Sequence, residues 1–187
     1  MHRKYAGIKS AFFSDLPPVV VELGPGTGAN FRYLPMATHL IAIEPNRQMH
    51  AALRRRAKKF SIDLELRELA AEALDLQSGS VDFLFTTLVL CSVKNPQKVL
   101  AEVLRVLRPG GRFVCLEHVA APPGSPERAV QQAIARPWRW LFEGCHLCRN
   151  TGALLNETGF GKVDIQHLVL ATSLLPIRYQ IVAVCVK

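Results

Sequence analysis

The sequence predicts an α/β fold: a three-layer sandwich around a mostly parallel seven-stranded sheet, closed by an antiparallel C-terminal strand pair. Three observations predict it. Short β-branched or apolar runs alternate with helical stretches, the pattern of stacked βα units around a parallel sheet. A glycine-rich turn, Gly24 to Gly28, follows the first of those runs directly. Near the end of the chain, two strand-like runs flank Pro176 without room for a crossover helix, so they should pair antiparallel.

The elements follow in order. Val19–Leu23 is a short buried strand that enters the turn, and a helix over 29–34 should come next. Residues 39–44 form the second strand. A helix over 47–59 turns Met49, Leu53 and Ala57 inward, because they recur at four-residue intervals, and leaves a strongly basic outer face. Asp63–Arg67 is the third strand, and 81–86 is the fourth, entered through Gln77-Ser78-Gly79-Ser80. The helix over 96–107 carries Val99, Leu100, Val103, Val106 and Leu107 on one stripe, starts with Pro96 and stops at Pro109-Gly110-Gly111. Residues 112–118 are the fifth strand. The run Ala121-Pro122-Pro123-Gly124-Ser125-Pro126 breaks regular structure and opens an insertion, 127–150, placed to cover a ligand. A short helix over 151–158 precedes the last two strands, 162–170 and Tyr179–Val186.

At 187 residues the chain fits one domain, 1–187, with an N-terminal lid segment (1–18) and a cap over the substrate (121–150). Hydrophobic residues at 49% and charged ones at 20% exclude a disordered chain. No uninterrupted apolar stretch reaches the roughly 18 residues of a membrane span. Positive charge at His2, Arg3, Lys4 and Lys9 gives way to Asp15, Pro17 and Pro18 before a signal-peptide core can form. Five cysteines, at 91, 115, 145, 148 and 185, are odd in number and scattered, unlike a secreted disulfide framework. The expected location is cytoplasmic, with peripheral attachment to a membrane as the alternative. The net charge of +8 fits attraction to nucleic acid or an anionic membrane surface, or solubility alone.

The run Glu22-x-Gly24-x-Gly26-x-Gly28 lets backbone approach a ligand where a side chain would collide. Its spacing is tighter than the G-x-G-x-x-G of dinucleotide sites, which argues against NAD. Glu22 can accept from a cationic α-amino group, and a helix start behind the turn would favour a carboxylate. Glu44, at the end of the second strand, can accept from both hydroxyls of a ribose. A ribose joined to a zwitterionic amino-acid tail describes S-adenosylmethionine.

These residues resemble the class I S-adenosylmethionine-dependent methyltransferases, whose fold is Rossmann-like, over nearly the whole chain. Val20 to Gly28 looks like the family's first motif, Glu44 its acidic ribose ligand, and Leu104 to Gly111 its lead-in to strand five. The resemblance implies a cofactor site of Glu22, Gly24, Pro25, Gly26, Thr27, Gly28, Glu44, Pro45, Met49, Ala71, Glu72, Thr87 and Leu88. Met49 and Ala71-Glu72 would contact adenine, and Thr87-Leu88 would wall the methionine tail. Ala70 stands where the family often has an aspartate, which leaves adenine recognition to backbone and Glu72. More narrowly, residues 87–93, 116–119 and 144–149 are similar to a subgroup of thiol methyltransferase-like proteins and bacterial phospholipid N-methyltransferase-like proteins.

The sulfonium methyl is already activated, so such a protein mainly aligns a nucleophile in line with the carbon–sulfur bond and excludes water. The acceptor reading is a small-molecule or lipid-like thiol or amine. His118, at the end of strand five, and His146, in the insertion, are candidate catalytic proton acceptors. Trp138, Cys145 and Arg149 are candidate substrate contacts. Cys145-His146-Leu147-Cys148 has no second paired half elsewhere, so no metal is expected. Cys91 reads as a small packed residue. Arg136 to Phe142 has the composition of a membrane-interface contact or a pocket lid. The basic helix reads as a solvated face, which disfavours nucleic acid, although an RNA methyltransferase and a nonenzymatic cofactor-binding scaffold stay as alternatives.

Overall fold

The computed structural model describes residues 2–172 and 174–187, with side chains from residue 7 onward; Met1, which belongs to the expected lid segment, lies outside it. The strands are β1 (Val19–Leu23), β2 (His39–Ile43), β3 (Asp63–Arg67), β4 (Val81–Thr87), β5 (Leu107–His118), β6 (Lys162–Val169) and β7 (Tyr179–Val186). The helices are α1 (His2–Phe12), α2 (Arg47–Phe60), α3 (Pro96–Val106), α4 (Pro126–Leu141) and α5 (Thr151–Glu157). All seven strands form one sheet in the order β3-β2-β1-β4-β5-β7-β6. From β3 to β5 the neighbours are parallel, while β7 runs antiparallel to both β5 and β6.

Alternation along each strand makes the two cores. Val20, Leu40, Ala42, Phe83, Phe85 and Val114 face Leu53 and Ala57 of α2, with Phe13 and Phe31 filling in. Their neighbours Val21, Leu23, Ile43, Leu84, Phe113 and Cys115 face Val99, Leu100, Val103 and Val106 of α3 and Leu155 of α5. Successive strand residues point to opposite faces, so runs such as Val20-Val21 feed both layers. Helix starts are capped by side chains: Asn46 accepts from the Gln48 N–H, Asn95 from Lys98, Ser125 from Arg128 and Asn150 from Ala153.

The chain passes from β1 outward through β2 and β3, then returns to β4 on the other side of β1. That reversal opens a crevice at the carboxyl ends of β1 and β4, where ligands of open α/β sheets bind.

Two local expectations fail. Residues 29–34 do not form an α-helix; only a 3-10 turn, Phe31–Tyr33, follows the glycines. The segment is too short to repay helix nucleation before Pro35, and the Asn30 side chain is drawn to Glu22 instead. A ligand carboxylate at the turn would therefore meet turn N–H groups, not a helix dipole. Strand five also begins earlier than expected: Leu107 already pairs with Val81, and the register shifts before Phe83 meets Arg112. Arg108 to Gly111 is thus a bulge within the sheet, with Gly110 at φ +78°. Among the described residues no helix is long and apolar enough to cross a membrane.

Candidate active site

The glycine turn is fixed at both ends. The Gly24 N–H donates to the Ile43 carbonyl at 2.9 Å, and the Gly26 N–H donates to Glu44 Oε2 at 2.9 Å. The other Glu44 oxygen accepts from the Asn46 N–H at 2.9 Å. Glu44, buried just past β2, thus ties the bend to the adjacent strand end and keeps its remaining lone pairs for a ligand. Gly24 has φ +61°, and a Cβ there would stand 2.6 Å from Val89 Cγ2. Gly26 has φ +56° and open space where a Cβ would point, so its bare side faces room for a ligand.

Behind the turn lies a chain of buried polar groups. Lys9 Nζ donates to Asn30 Oδ1 at 2.6 Å, and Asn30 Nδ2 donates to Glu22 Oε1 at 2.6 Å and to Thr87 Oγ1 at 3.2 Å. Glu22 Oε2 is buried with no hydrogen-bond partner among the described residues. Burial lifts the Glu22 carboxyl to about 7, against the Asn30 hydrogen bond and Lys9, with the Glu44 charge adding to the rise. Burial also lowers Lys9, opposed by Glu22. A buried acceptor atom without a donor is costly. It fits a cationic ammonium, the group the amino-acid end of S-adenosylmethionine would bring. α1 supplies Lys9 and so joins the site from the N-terminus.

Beside this end of the sheet opens a mostly apolar cavity of about 490 Å³, whose lining includes Met49, Leu88, Cys91, His118, Trp138 and Cys145. Its inner wall is the loop after β4, and a buried carboxylate shapes that loop. Glu117 Oε1 accepts from Thr86 Oγ1 at 3.1 Å and from the Val89 and Leu90 N–H groups at 3.0 Å each, and Oε2 accepts from the Cys91 N–H at 3.3 Å. Burial pushes the Glu117 carboxyl up, while those N–H donors and His118 pull it back. With three successive N–H groups gathered on one carboxylate, Leu88 is held at φ +59°, a left-handed conformation that a leucine adopts only under such constraint.

Arg149 reinforces the same loop, donating from Nη1 to the carbonyls of Leu90 and, at 3.0 Å, Val93. It is thereby placed as a brace behind the cavity and is absent from its lining. His118 is buried, with Nε2 2.9 Å from Cys145 Sγ and Nδ1 without a partner among the described residues. Trp138 Nε1 donates to the same sulfur at 3.1 Å and stacks its ring on Phe142. The Cys145 thiol is pulled down, first by a hydrogen bond from Cys91 and then, against burial, by His118 and Trp138. Cys91 is correspondingly pushed up by that bond and by burial.

His146 stands apart from the lining: its N–H donates to the Cys91 carbonyl at 2.7 Å, and burial with the charges of Arg149 and Arg139 lowers its ring. Cys148 borders a separate cleft with Val119 and Tyr179. Of the remaining expected cofactor contacts, Pro25 is buried, Thr27 and Pro45 are exposed, and Gly28 packs on Phe31 and Leu53. Ala71 is buried in the α3-side core, and Glu72 accepts from the Asn95 N–H at 3.3 Å. Asn30, Lys9, Glu117 and Gln131 escape sequence reading. Gln131, fully buried on α4, accepts from the Ala121 N–H and donates to the Val119 and Pro176 carbonyls. A polar residue on an otherwise exposed helix gives little warning of such a role; the only available signal for Glu117 is a charge inside an apolar strand.

Comparison with known proteins identifies the family. A family model for the methyltransferase domain matches residues 21–115, from β1 through the middle of β5. The human thiol S-methyltransferase TMT1A is 38% identical over 171 residues, 90% of this chain and 70% of that protein. A phosphatidylethanolamine N-methyltransferase of Cereibacter sphaeroides is 33% identical over 63% of this chain and 58% of its own length. The crystal structure of a geranyl diphosphate C-methyltransferase from Streptomyces coelicolor, in complex with S-adenosyl-L-homocysteine, has a TM-score of 0.73 at 15% identity, covering 99% of this chain and 81% of that one. The chain belongs to the S-adenosylmethionine-dependent methyltransferase family.

Proposed function

We propose that this methyltransferase acts on a small apolar or lipid-like thiol, with a primary amine as the second acceptor class. One observation carries the reading: Met49 and Leu88, expected beside the cofactor, line the same apolar cavity as Cys91, His118 and Cys145. Donor and acceptor thus share one chamber, and the polar groups at its floor are soft or imidazole-bearing, suited to meeting a sulfur. The similarity to a human thiol S-methyltransferase supports the same acceptor.

When bound, S-adenosylmethionine supplies the electrophilic methyl for in-line displacement. Glu22, with Asn30 and Lys9, would receive its amino-acid end; Glu44 would receive the sugar hydroxyls, and Met49, Ala71 and Glu72 would border adenine. The apolar walls exclude water, and residues 121–150 cap the acceptor through Trp138. Around the cavity mouth Leu141, Phe142 and Leu174 are exposed beside Trp140, Arg136 and Arg139, a composition that favours acceptors drawn from an anionic membrane surface.

The test is a methyl-transfer screen with small aliphatic and aromatic thiols, amines and phosphatidylethanolamine vesicles, run beside calorimetric titration of the cofactor. Turnover of thiols at least tenfold above amines is expected. Transfer to the phospholipid amine with none to any thiol would overturn the thiol assignment.

A further inference from the structure

Among the described residues, Cys91, His118 and Cys145 form a cluster with the donor set of a transition-metal site. All three are buried, and their sulfur and ring-nitrogen atoms lie within 4.8 Å of one another. Tetrahedral zinc holds sulfur at about 2.3 Å and imidazole nitrogen at about 2.0–2.1 Å, which puts ligand atoms roughly 3.4–3.8 Å apart. The trio already has nearly that spacing. A cation entering it would part His118 Nε2 from Cys145 Sγ, which stand 2.9 Å apart.

Each sulfur ligand is also held by an outer layer. Glu117 binds the Cys91 N–H, the His146 N–H binds the Cys91 carbonyl, and Trp138 donates to Cys145 Sγ. Metal sites rely on such supporting groups to orient their ligands. The Cys145-x-x-Cys148 spacing misdirects here, because Cys148 borders another cleft while the partners of Cys145 come from the β4 loop and the end of β5.

We propose that Cys91, His118 and Cys145 bind one zinc ion whose fourth position, open to the cavity, takes the sulfur of the acceptor thiol. Three protein ligands and one open position is the layout of zinc sites that act on substrates, not of closed structural ones. All three ligands line the acceptor cavity. Two thiolates neutralise the dication, so the metal with its three protein ligands carries no net charge until the acceptor thiolate arrives to face the sulfonium.

The metal half of the proposal stands alone; the acceptor half rests on the thiol reading above. On coordination the acceptor S–H proton passes to solvent. The sulfur lone pair then forms the new S–CH3 bond while the cofactor's S–CH3 bond breaks, its electron pair staying on the cofactor sulfur. The products are a neutral thioether, a weak ligand that leaves, and S-adenosylhomocysteine.

The experiment is cobalt(II) titration and zinc elemental analysis of the full chain, purified with its thiols verified as reduced. One metal per chain and a thiolate-to-cobalt charge-transfer absorption are expected, with that absorption shifting when a small thiol is added. Cys91→Ser, His118→Gln and Cys145→Ser should each weaken metal binding on the order of 100-fold, whereas Cys148→Ser leaves it unchanged. Cofactor calorimetry on the same sample keeps the readings apart. Protein that binds cofactor and methylates thiols yet holds no metal overturns the metal site alone. Protein that binds metal but methylates no thiol overturns the acceptor half.

Discussion

The cofactor side and the acceptor side of the crevice are built on different principles. Much of the cofactor side is one continuous stretch, Glu22 to Asn30, shaped by its own backbone and pinned by a single carboxylate, Glu44, eighteen residues downstream of Gly26. The acceptor side is assembled from the β4 loop, the end of β5, α4 and the turn beyond it, and buried side chains hold it together: Glu117, Arg149 and Gln131. Local geometry can be carried by a short motif. An assembled wall depends on polar groups that work only after the sheet has formed.

If the two sides are separable, breaking one clamp should spare the other. The largest effect is expected for Glu117→Ala, which strands the buried N–H groups of Val89, Leu90 and Cys91; the loss should be about 3–5 kcal/mol, read as a denaturant midpoint. Folded variant should lose thiol turnover, while cofactor affinity falls only by the share that Leu88, released from its left-handed conformation, contributes. Loss of cofactor binding in the same proportion would show that the two sides are one cooperative unit.

Glu44→Ala strikes the other side. It frees the Gly26 and Asn46 N–H groups and removes the sugar acceptor, so cofactor affinity should fall by about 2–3 kcal/mol, near 100-fold, in calorimetry. Metal and thiol spectra at the acceptor floor should not change.

Glu22 sharpens the comparison through pH. Its carboxyl sits near 7 in the fold against 4.5 in the open chain, so the folded state holds the proton more tightly. The stability this contributes is complete below about pH 4.5 and is lost as pH rises to about 7. Without cofactor, Glu22→Gln should therefore match the wild type near pH 4.5 and exceed it at pH 8 by on the order of 2 kcal/mol in thermal or denaturant melts. Cofactor affinity should run the opposite way. It rises with pH through 7 in the wild type, because only the carboxylate pairs with an ammonium, and it loses that slope in the variant.

The smallest effect belongs to the cavity mouth. Trp140 is 86% exposed, so Trp140→Ser should change stability by less than about 0.5 kcal/mol. Sedimentation with anionic vesicles at low salt should nonetheless fall several-fold. Unchanged vesicle binding would remove the membrane from the account of acceptor delivery.

The same contrast explains what sequence reading reached. Periodicity located every strand and the helices α2 and α3, because strands buried on both faces and a stripe such as Val99, Val103 and Val106 leave a direct trace. By contrast α4, the longest helix, read only as an insertion and α1 only as a lid segment, because so few of the described side chains of either are buried. Gly26 and Glu44, which sequence spacing assigns to one site, are joined there by a hydrogen bond. The short helix after the glycines was misread, since Asn30 gives its amide to Glu22 and the segment tightens to a single 3-10 turn. Cys91, His118 and Cys145 lie far apart in the chain, and only the β4–β5 pairing and the turn after α4 bring them together. The Cys145-x-x-Cys148 spacing gives no hint of that grouping, since Cys148 borders another cleft.

Two polar ties hold the first turns of α4, where Glu127 accepts from Arg178 and Gln131 grips the chain on either side of it, and one, Trp138 to Cys145 Sγ, holds its last turn. An α-helix rises about 1.5 Å per residue, so Trp140 stands about 13 Å along the axis from the Gln131 anchor. A tilt of roughly 10° about that anchor displaces the far end by roughly 2 Å, about the girth of one methylene. Were the Trp138 tie released, such a lever would admit bulkier acceptors at the entrance, so loosening both anchors together should widen the enzyme's diet.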